Sequence, residues 1–216
     1  REAVEHERNK KENDFKVLQA QINPHFLYNT LSSVNCMASM NRTDDIQIMI
    51  SALINLLQAS IDKMGEIITI EQELENLKNY VTIQQLRYGE RFDVIYEVDE
   101  GILSFKLPKL LLQPLVENSI FHGASGLDEK LHIWVSVRLR ESKIEVEVKD
   151  DGVGIDEKKI DLNLSGKLQE EKGFTKIGVN SVNQRIQLAF GEEYGLTIKS
   201  QPGMGCTISF LIPFML

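Results

Sequence analysis

The sequence predicts an α+β chain: an N-terminal helical dimerisation bundle, then an α/β sandwich whose mixed sheet is covered on one face by helices. Three observations carry that prediction. Apolar residues recur at three- and four-residue steps as far as about residue 88, the period switches to two after Gly89, and two helical segments interrupt the alternating runs that follow.

The 216 residues are 42% hydrophobic with a mean hydropathy of −0.19, which suits one large or two modest packed domains. A net charge of −8 argues against direct nucleic-acid binding, which needs a basic surface. A nucleotide stays open, because backbone amides and a metal can hold one. No apolar run is long enough to span a bilayer and no signal peptide is present. Since the first residue is Arg1 rather than Met, we expect a fragment of something longer. Cys36 and Cys206 have neither metal-type spacing nor a disulfide framework around them, so two reduced thiols are expected.

Taken in order, residues 1–14 are charged or polar apart from Ala3 and Val4 and read as an exposed helical linker. From Phe15, the spacing of Val17, Ala20, Leu27, Leu31, Val34 and Ala38 makes the stripe of an amphipathic helix. A second helix, residues 44–61, sets Ile46, Met49, Ile50, Leu53 and Leu57 on one face. A third begins at Thr69, where Thr69 and Gln72 form a capping pair, carries Ile70, Leu74, Leu77 and Val81 inward, and ends near Gly89. Short connections predict an antiparallel bundle, and apolar faces this wide predict that it dimerises. The expected domains are residues 1–14, 15–89 and 90–216.

Beyond Gly89, Phe92, Val94, Tyr96 and Val98 alternate with polar residues, and so do residues 131–139 and 144–148. Residues 196–200 and 206–212 read as two more strands, and residues 108–122 and 179–190 as helices between them.

Three segments of this second domain carry chemistry. On the first helix Asn118 and His122 stand four apart and share a face, and an Asn carbonyl is a neutral oxygen ligand suited to Mg2+. The second segment, Asp150-Asp151-Gly152-Val153-Gly154, follows a strand: its carboxylate can accept from the exocyclic amine of adenine, and its glycines let backbone approach a ligand. Taken alone this is also a common turn. The third is Gly178-Val179-Asn180, where a helix start offers unpaired N–H groups to phosphate. Before it, residues 156–177 form a long polar stretch of the kind used as lids. Gly203 and Gly205 give one more close-approach turn.

In this order, these elements resemble the Bergerat-type ATP-binding domain of histidine kinases, type II topoisomerases, mismatch-repair ATPases and heat-shock chaperones. By that resemblance Asn118 is the magnesium asparagine, Asp150 the adenine aspartate, and Gly152 and Gly154 the glycines of the same box. His122, Gly178, Val179 and Gly205 complete the expected ATP contacts. Two positions depart from the pattern: Lys176 stands where the lid-end motif has its first glycine, and Cys206 where a Thr is common. Lys176 is expected to reach the γ-phosphate. Pro114 occupies the place of the hydrolytic ATPases' catalytic Glu, which implies poor hydrolysis and favours transfer to a protein nucleophile.

His25 is one of four histidines and lies in Gln21-Ile22-Asn23-Pro24-His25-Phe26-Leu27-Tyr28-Asn29. At about 100° per residue it falls nearly opposite the Leu27, Leu31, Val34 stripe, so it should face outward. His6 and His132 read as structural. The string around His25 looks like the phosphoacceptor box of the LytS/YesM-like sensor histidine kinases, and the likeness runs on through Asn79-Tyr80, Gln85-Leu86-Arg87-Tyr88 and residues 108–118. The resemblance implies ATP-dependent autophosphorylation of His25 and phosphotransfer to an aspartate of a response regulator. It also implies a homodimer, and a cytoplasmic domain anchored in a bacterial inner (cell) membrane by a preceding region. Phe26 stands where larger kinase families keep an acidic residue, so the base is not given by that position: Asn29, one turn on, could orient the ring, and Glu117, beside Asn118, could serve from the ATP domain. A catalytically silent scaffold and an ATPase or serine kinase of the same nucleotide fold are the rivals. Intact His25, Asn118 and Asp150 argue against the first, whose only support is the altered Lys176 position, and the second gives the histidine box no role.

Overall fold

A computed structural model describes residues 24–61, 67–123, 129–155 and 176–214. The described chain divides into two compact units, residues 24–61 with 78–88 and residues 67–77 with 89–214. The expected linker 1–14 and the start of the first helix lie outside the described residues.

In the helical unit, α1 (Pro24–Ser39) and α2 (Thr43–Ile61) are joined by a turn in which Asn41 takes a φ of 57°. The N–H of Arg42 donates to the Met37 carbonyl at 3.0 Å, and Asp44 and Asp45 place negative charge in the first turn of α2, where the helix dipole favours it. The core gathers Met37, Met49, Ala52, Leu53 and Ile83. The expected stripe on α1 is corrected in part: Leu27 and Val34 pack against this core, but Leu31 is 56% exposed and Ala38 is exposed. The inward positions go to Phe26, whose ring stacks on Tyr80 at 5.4 Å, to Met37, and to buried Thr30, whose hydroxyl donates to the Phe26 carbonyl at 2.8 Å. A polar Thr can turn inward there because the helix backbone satisfies its one donor.

The third helix, α3 (Ile70–Tyr88), starts as its local sequence dictates. The Thr69 N–H donates to Gln72 Oε1 at 3.0 Å, and the Gln72 N–H donates to Thr69 Oγ1 at 3.2 Å. Ile70, Leu74, Leu77 and Val81 are all buried. The helix is shared: its residues up to 77 group with the sheet unit and those from 78 with the helical unit.

The sheet unit contains β2 (Phe92–Val98), β4 (Leu131–Arg140), β5 (Lys143–Asp150), β6 (Thr197–Ser200) and β7 (Cys206–Pro213), ordered β2-β4-β5-β7-β6. Among the described strands of this sheet β2 and β4 pair in parallel and the other neighbours antiparallel, which makes the sheet mixed. One row of the register runs Val135, Val148, Ile208, all buried, as alternation requires on a face covered by helices. The covering helices are α4 (Leu112–Asn118) and α5 (Lys176–Phe190), which contribute Leu115, Val116, Val182 and Ile186 to the core.

The helix expected at 108–122 is corrected at its start, and its last turn is wider than an α-helix. Pro108 closes a short strand, β3 (Lys106–Pro108), paired antiparallel with β1 (Ile67–Thr69), a ribbon too short to leave an alternating pattern. Leu110 takes a φ of 60°, outside helical geometry, so α4 begins only at Leu112. After Asn118 the chain widens into a π turn, Ser119–Gly123, which includes His122. Likewise α5 starts at Lys176 rather than near 179. Among the described residues no helix is long and apolar enough to cross a membrane.

Candidate functional site

Strand β5 delivers Asp150 to the end of the sheet, where it is only 3% exposed. Its Oδ1 accepts the N–H groups of Gly152 at 3.0 Å and Cys206 at 3.2 Å, and its Oδ2 accepts the Ser119 hydroxyl at 2.8 Å. Burial pushes this carboxyl above its ordinary pKa, and the three donors pull the other way. A carboxylate has about four lone-pair sites, so these three donors leave room for one from outside.

The glycines around Asp150 are set by close approach. A Cβ on Gly152 would stand 2.5 Å from both Cα and O of Gly123, at the end of the π turn, and the Val153 N–H donates to that same carbonyl at 3.1 Å. Gly154 and Gly205 have φ values of 66° and 76°, and a Cβ on either would strike a backbone carbonyl, of Gln201 and of Asp150 respectively. Ser200 ties the two loops together, donating to the Gly205 carbonyl at 2.6 Å and accepting the Ile155 N–H at 2.8 Å.

Asn118, at the end of α4, is 5% exposed, and its Oδ1 is buried without a hydrogen-bond partner among the described residues. A buried acceptor left this way is costly unless something fills it. Magnesium needs one or two protein oxygens and takes the rest from water and phosphate, so this amide oxygen fits it. Four residues on, half-buried His122 has its pKa lowered by desolvation, which favours the neutral imidazole. Glu117 is half-buried beside Asn118.

On α5, Gly178 and Val179 fall inside the first turn, among the N–H groups that helix bonds leave unpaired. The Val179 side chain is buried, so only its backbone is available to a ligand. Gly178 faces Pro114, whose Cβ would lie 3.5 Å from an added Cβ. The expected lid and the side chain of Lys176 lie outside the described residues. The Cys206 thiol is buried and pushed up to about 12, mainly by desolvation and further by Asp150, so its contribution is the backbone N–H on Asp150. His132 makes a structural pair, its Nδ1 2.8 Å from Asp151 Oδ2 and its N–H donating to Oδ1 at 2.7 Å.

His25 lies in the helical unit, exposed, as the second residue of α1. The Asn29 Nδ2 stands 3.1 Å from His25 Nδ1 and 3.2 Å from Nε2, so the amide braces the ring without choosing between its nitrogens. Sequence reasoning missed Ser119, Gly123 and Ser200. Ser119 follows Asn118 directly and was within reach of a closer reading of that segment. The partners of the other two are visible only in the fold.

Two family models match the chain, one for "Histidine kinase" over residues 13–92 and one for "Histidine kinase-, DNA gyrase B-, and HSP90-like ATPase" over residues 106–216. Sensor histidine kinase YesM of Bacillus subtilis is 37% identical over 94% of the chain, and YpdA of Escherichia coli 36% identical over 93%. Sensor protein LytS of Staphylococcus epidermidis is 29% identical over 94%. The chain spans about a third of the length of these curated relatives, 34% in each case. Among solved structures, the histidine kinase domain of a blue-light activated histidine kinase from Erythrobacter litoralis shares the fold. It has a TM-score of 0.53 and 17% identity and covers 95% of this chain and 94% of its own. The catalytic domain of histidine kinase ThkA, with a TM-score of 0.52 and 18% identity, covers 68% of this chain and 93% of its own.

Proposed function

We propose, for a chain that belongs to the histidine kinase-, DNA gyrase B- and HSP90-like ATPase family and is similar to the sensor histidine kinases YesM and LytS, that it is itself a sensor histidine kinase, which transfers the γ-phosphoryl group of ATP to His25 and from there to an aspartate of a response regulator. A neutral ring nitrogen of His25 attacks the γ-phosphorus, the bond to the ADP oxygen breaks, and the ring gives up its proton. Asn29 holds the ring, and Glu117 is the candidate to take the proton. Asp150 accepts the adenine amine, Gly152, Gly154 and Gly205 let the backbone close on the nucleotide, and the first turn of α5 with Gly178 and Val179 faces its phosphates. Lys176 is assigned to the γ-phosphate by the family resemblance alone, and His122 and the Cys206 backbone line the same site. Asn118 holds Mg2+, which would offset the charge that builds on the phosphates. One observation carries this reading: the orphaned Asn118 oxygen and the Asp150 carboxylate are fixed on one hydrogen-bonded frame, with Ser119 as the link.

In this reading residues 1–14 transmit the signal, 15–89 form the dimerisation and phosphoacceptor domain, and 90–216 form the ATP-binding domain. A homodimer through the helical unit is supported by the exposed Tyr28, Leu31, Ile48 and Ile54. The whole protein would be anchored in a bacterial cell membrane by a region outside this chain, with these residues on the cytoplasmic side. Incubation with γ-labelled ATP should give a label that survives alkali and is lost in acid. His25→Gln should bind ATP and carry no label; equal labelling of that variant would remove His25 from the mechanism.

A further inference from the structure

The segment that leads into α4 is held from two helices at once. From α3, Glu73 Oε2 accepts the Leu110 N–H at 3.0 Å, and Oε1 accepts the N–H groups of Leu111 at 2.8 Å and Leu112 at 2.9 Å. From α5, Arg185 Nη1 donates to the Lys109 carbonyl at 2.8 Å. The turn between them has a shape its own residues disfavour, since Leu110 sits in the left-handed region. Leu111, just ahead of α4, makes no side-chain cap. Glu73 supplies that cap from 37 to 39 residues upstream.

The arrangement requires a full carboxylate. Three N–H donors converge on two oxygens, and an amide would turn its own NH2 toward one of them. Glu73 is 2% exposed, and its burial raises its pKa against the pull of the three amides and of Arg185. Buried charge of this kind is retained at a cost. Meanwhile α3 does not stop at the sheet unit: from residue 78 it belongs to the unit that carries His25.

We propose that Glu73 is a positioning residue through which α3 sets the place of α4, and so of the Asn118 oxygen, making magnesium-nucleotide affinity sensitive to displacement of α3. The proposal rests on the reading of Asn118 as the metal-holding residue. Helix α4 has only 7 residues, so a shift at its N-terminus is carried to Asn118 at its end.

The test compares ATP affinity with magnesium and with a chelator in wild type, Asn118→Ala and Glu73→Gln, alongside melting temperature and amide exchange. Wild type should gain affinity with magnesium and Asn118→Ala should lose that gain. Glu73→Gln should lose it by roughly tenfold or more, the usual effect of removing a residue that orients a metal ligand. Its chelated affinity should stay close to wild type, with faster exchange confined to the amides of 110–112. A wild type with no magnesium gain sinks the reading of Asn118 and this proposal together. Normal behaviour of wild type and Asn118→Ala, with the full gain kept in Glu73→Gln, sinks the proposal alone. An equal loss with and without magnesium also overturns it, because Glu73 would then be a general anchor of the fold. Should Glu73→Gln not fold, Arg185→Met, at a half-exposed position, frees the same turn, and an unchanged magnesium gain there overturns the proposal.

Discussion

The Ser119 hydroxyl donates to Asp150 Oδ2 across 2.8 Å, so the residue next to Asn118 is bonded to the carboxylate proposed to read the base. The contact joins the π turn after α4 to the end of β5, two elements that are 31 residues apart in the chain. Each of the two roles proposed for the site therefore depends on where the other's segment is held. π turns of this kind recur at functional sites, where they re-aim side chains inside an otherwise regular helix.

Asp150→Asn should weaken ATP by roughly 1–3 kcal/mol, because the base amine loses its ionised acceptor. Stability should move the other way. The folded carboxyl titrates above its ordinary value of 3.8, so its favourable contribution is present below that value and is lost as pH rises through the folded pKa. Asparagine does not ionise, and the melting temperature of the variant relative to wild type should therefore climb as pH is raised from about 4 toward neutrality. A difference that is flat or falls with pH would contradict the burial argument.

Asn118→Ala deletes an acceptor that has no partner among the described residues. The nucleotide-free protein should melt within a few degrees of wild type, a change of about 1 kcal/mol or less. Phosphorylation of His25 should nevertheless fall sharply, and raising magnesium should not restore it. Joint loss of fold and activity would make Asn118 a structural residue.

Gly152→Ala places a methyl 2.5 Å from the Gly123 backbone, where no flexible side chain can yield. The Asp150 loop and the π turn must separate, at a cost of about 1–3 kcal/mol. Urea titration of the sheet unit should register that loss together with weaker ATP binding. Wild-type values for both would show that the loops adjust freely.

The two thiols should differ in the native protein. Exposed Cys36 should react with a maleimide within minutes, while Cys206, buried and pushed up to about 12, should react only after denaturation. Mass spectrometry of peptides from briefly labelled protein checks this, and equal labelling of both would mean that the start of β7 opens.

The sequence by itself determined whatever depends on neighbours within one turn or one strand. The Thr69 and Gln72 cap lies three residues apart and forms as read, and period-two alternation locates β2, β4, β5 and β7 because a strand's buried face follows from its own pleat. Asp150 and its glycines were legible because a strand, an acid and a tight turn are contiguous. Only the tertiary structure decided which face of α1 turns inward, since Phe26 takes the place against Tyr80 while Leu31 is exposed. It alone paired Ser119 with Asp150 and seated Glu73 under the Leu110–Leu112 amides. The physical reason is range. A hydrogen bond across more than thirty residues has no periodicity to announce it, and a glutamate on a helix reads as solvated until another segment covers it.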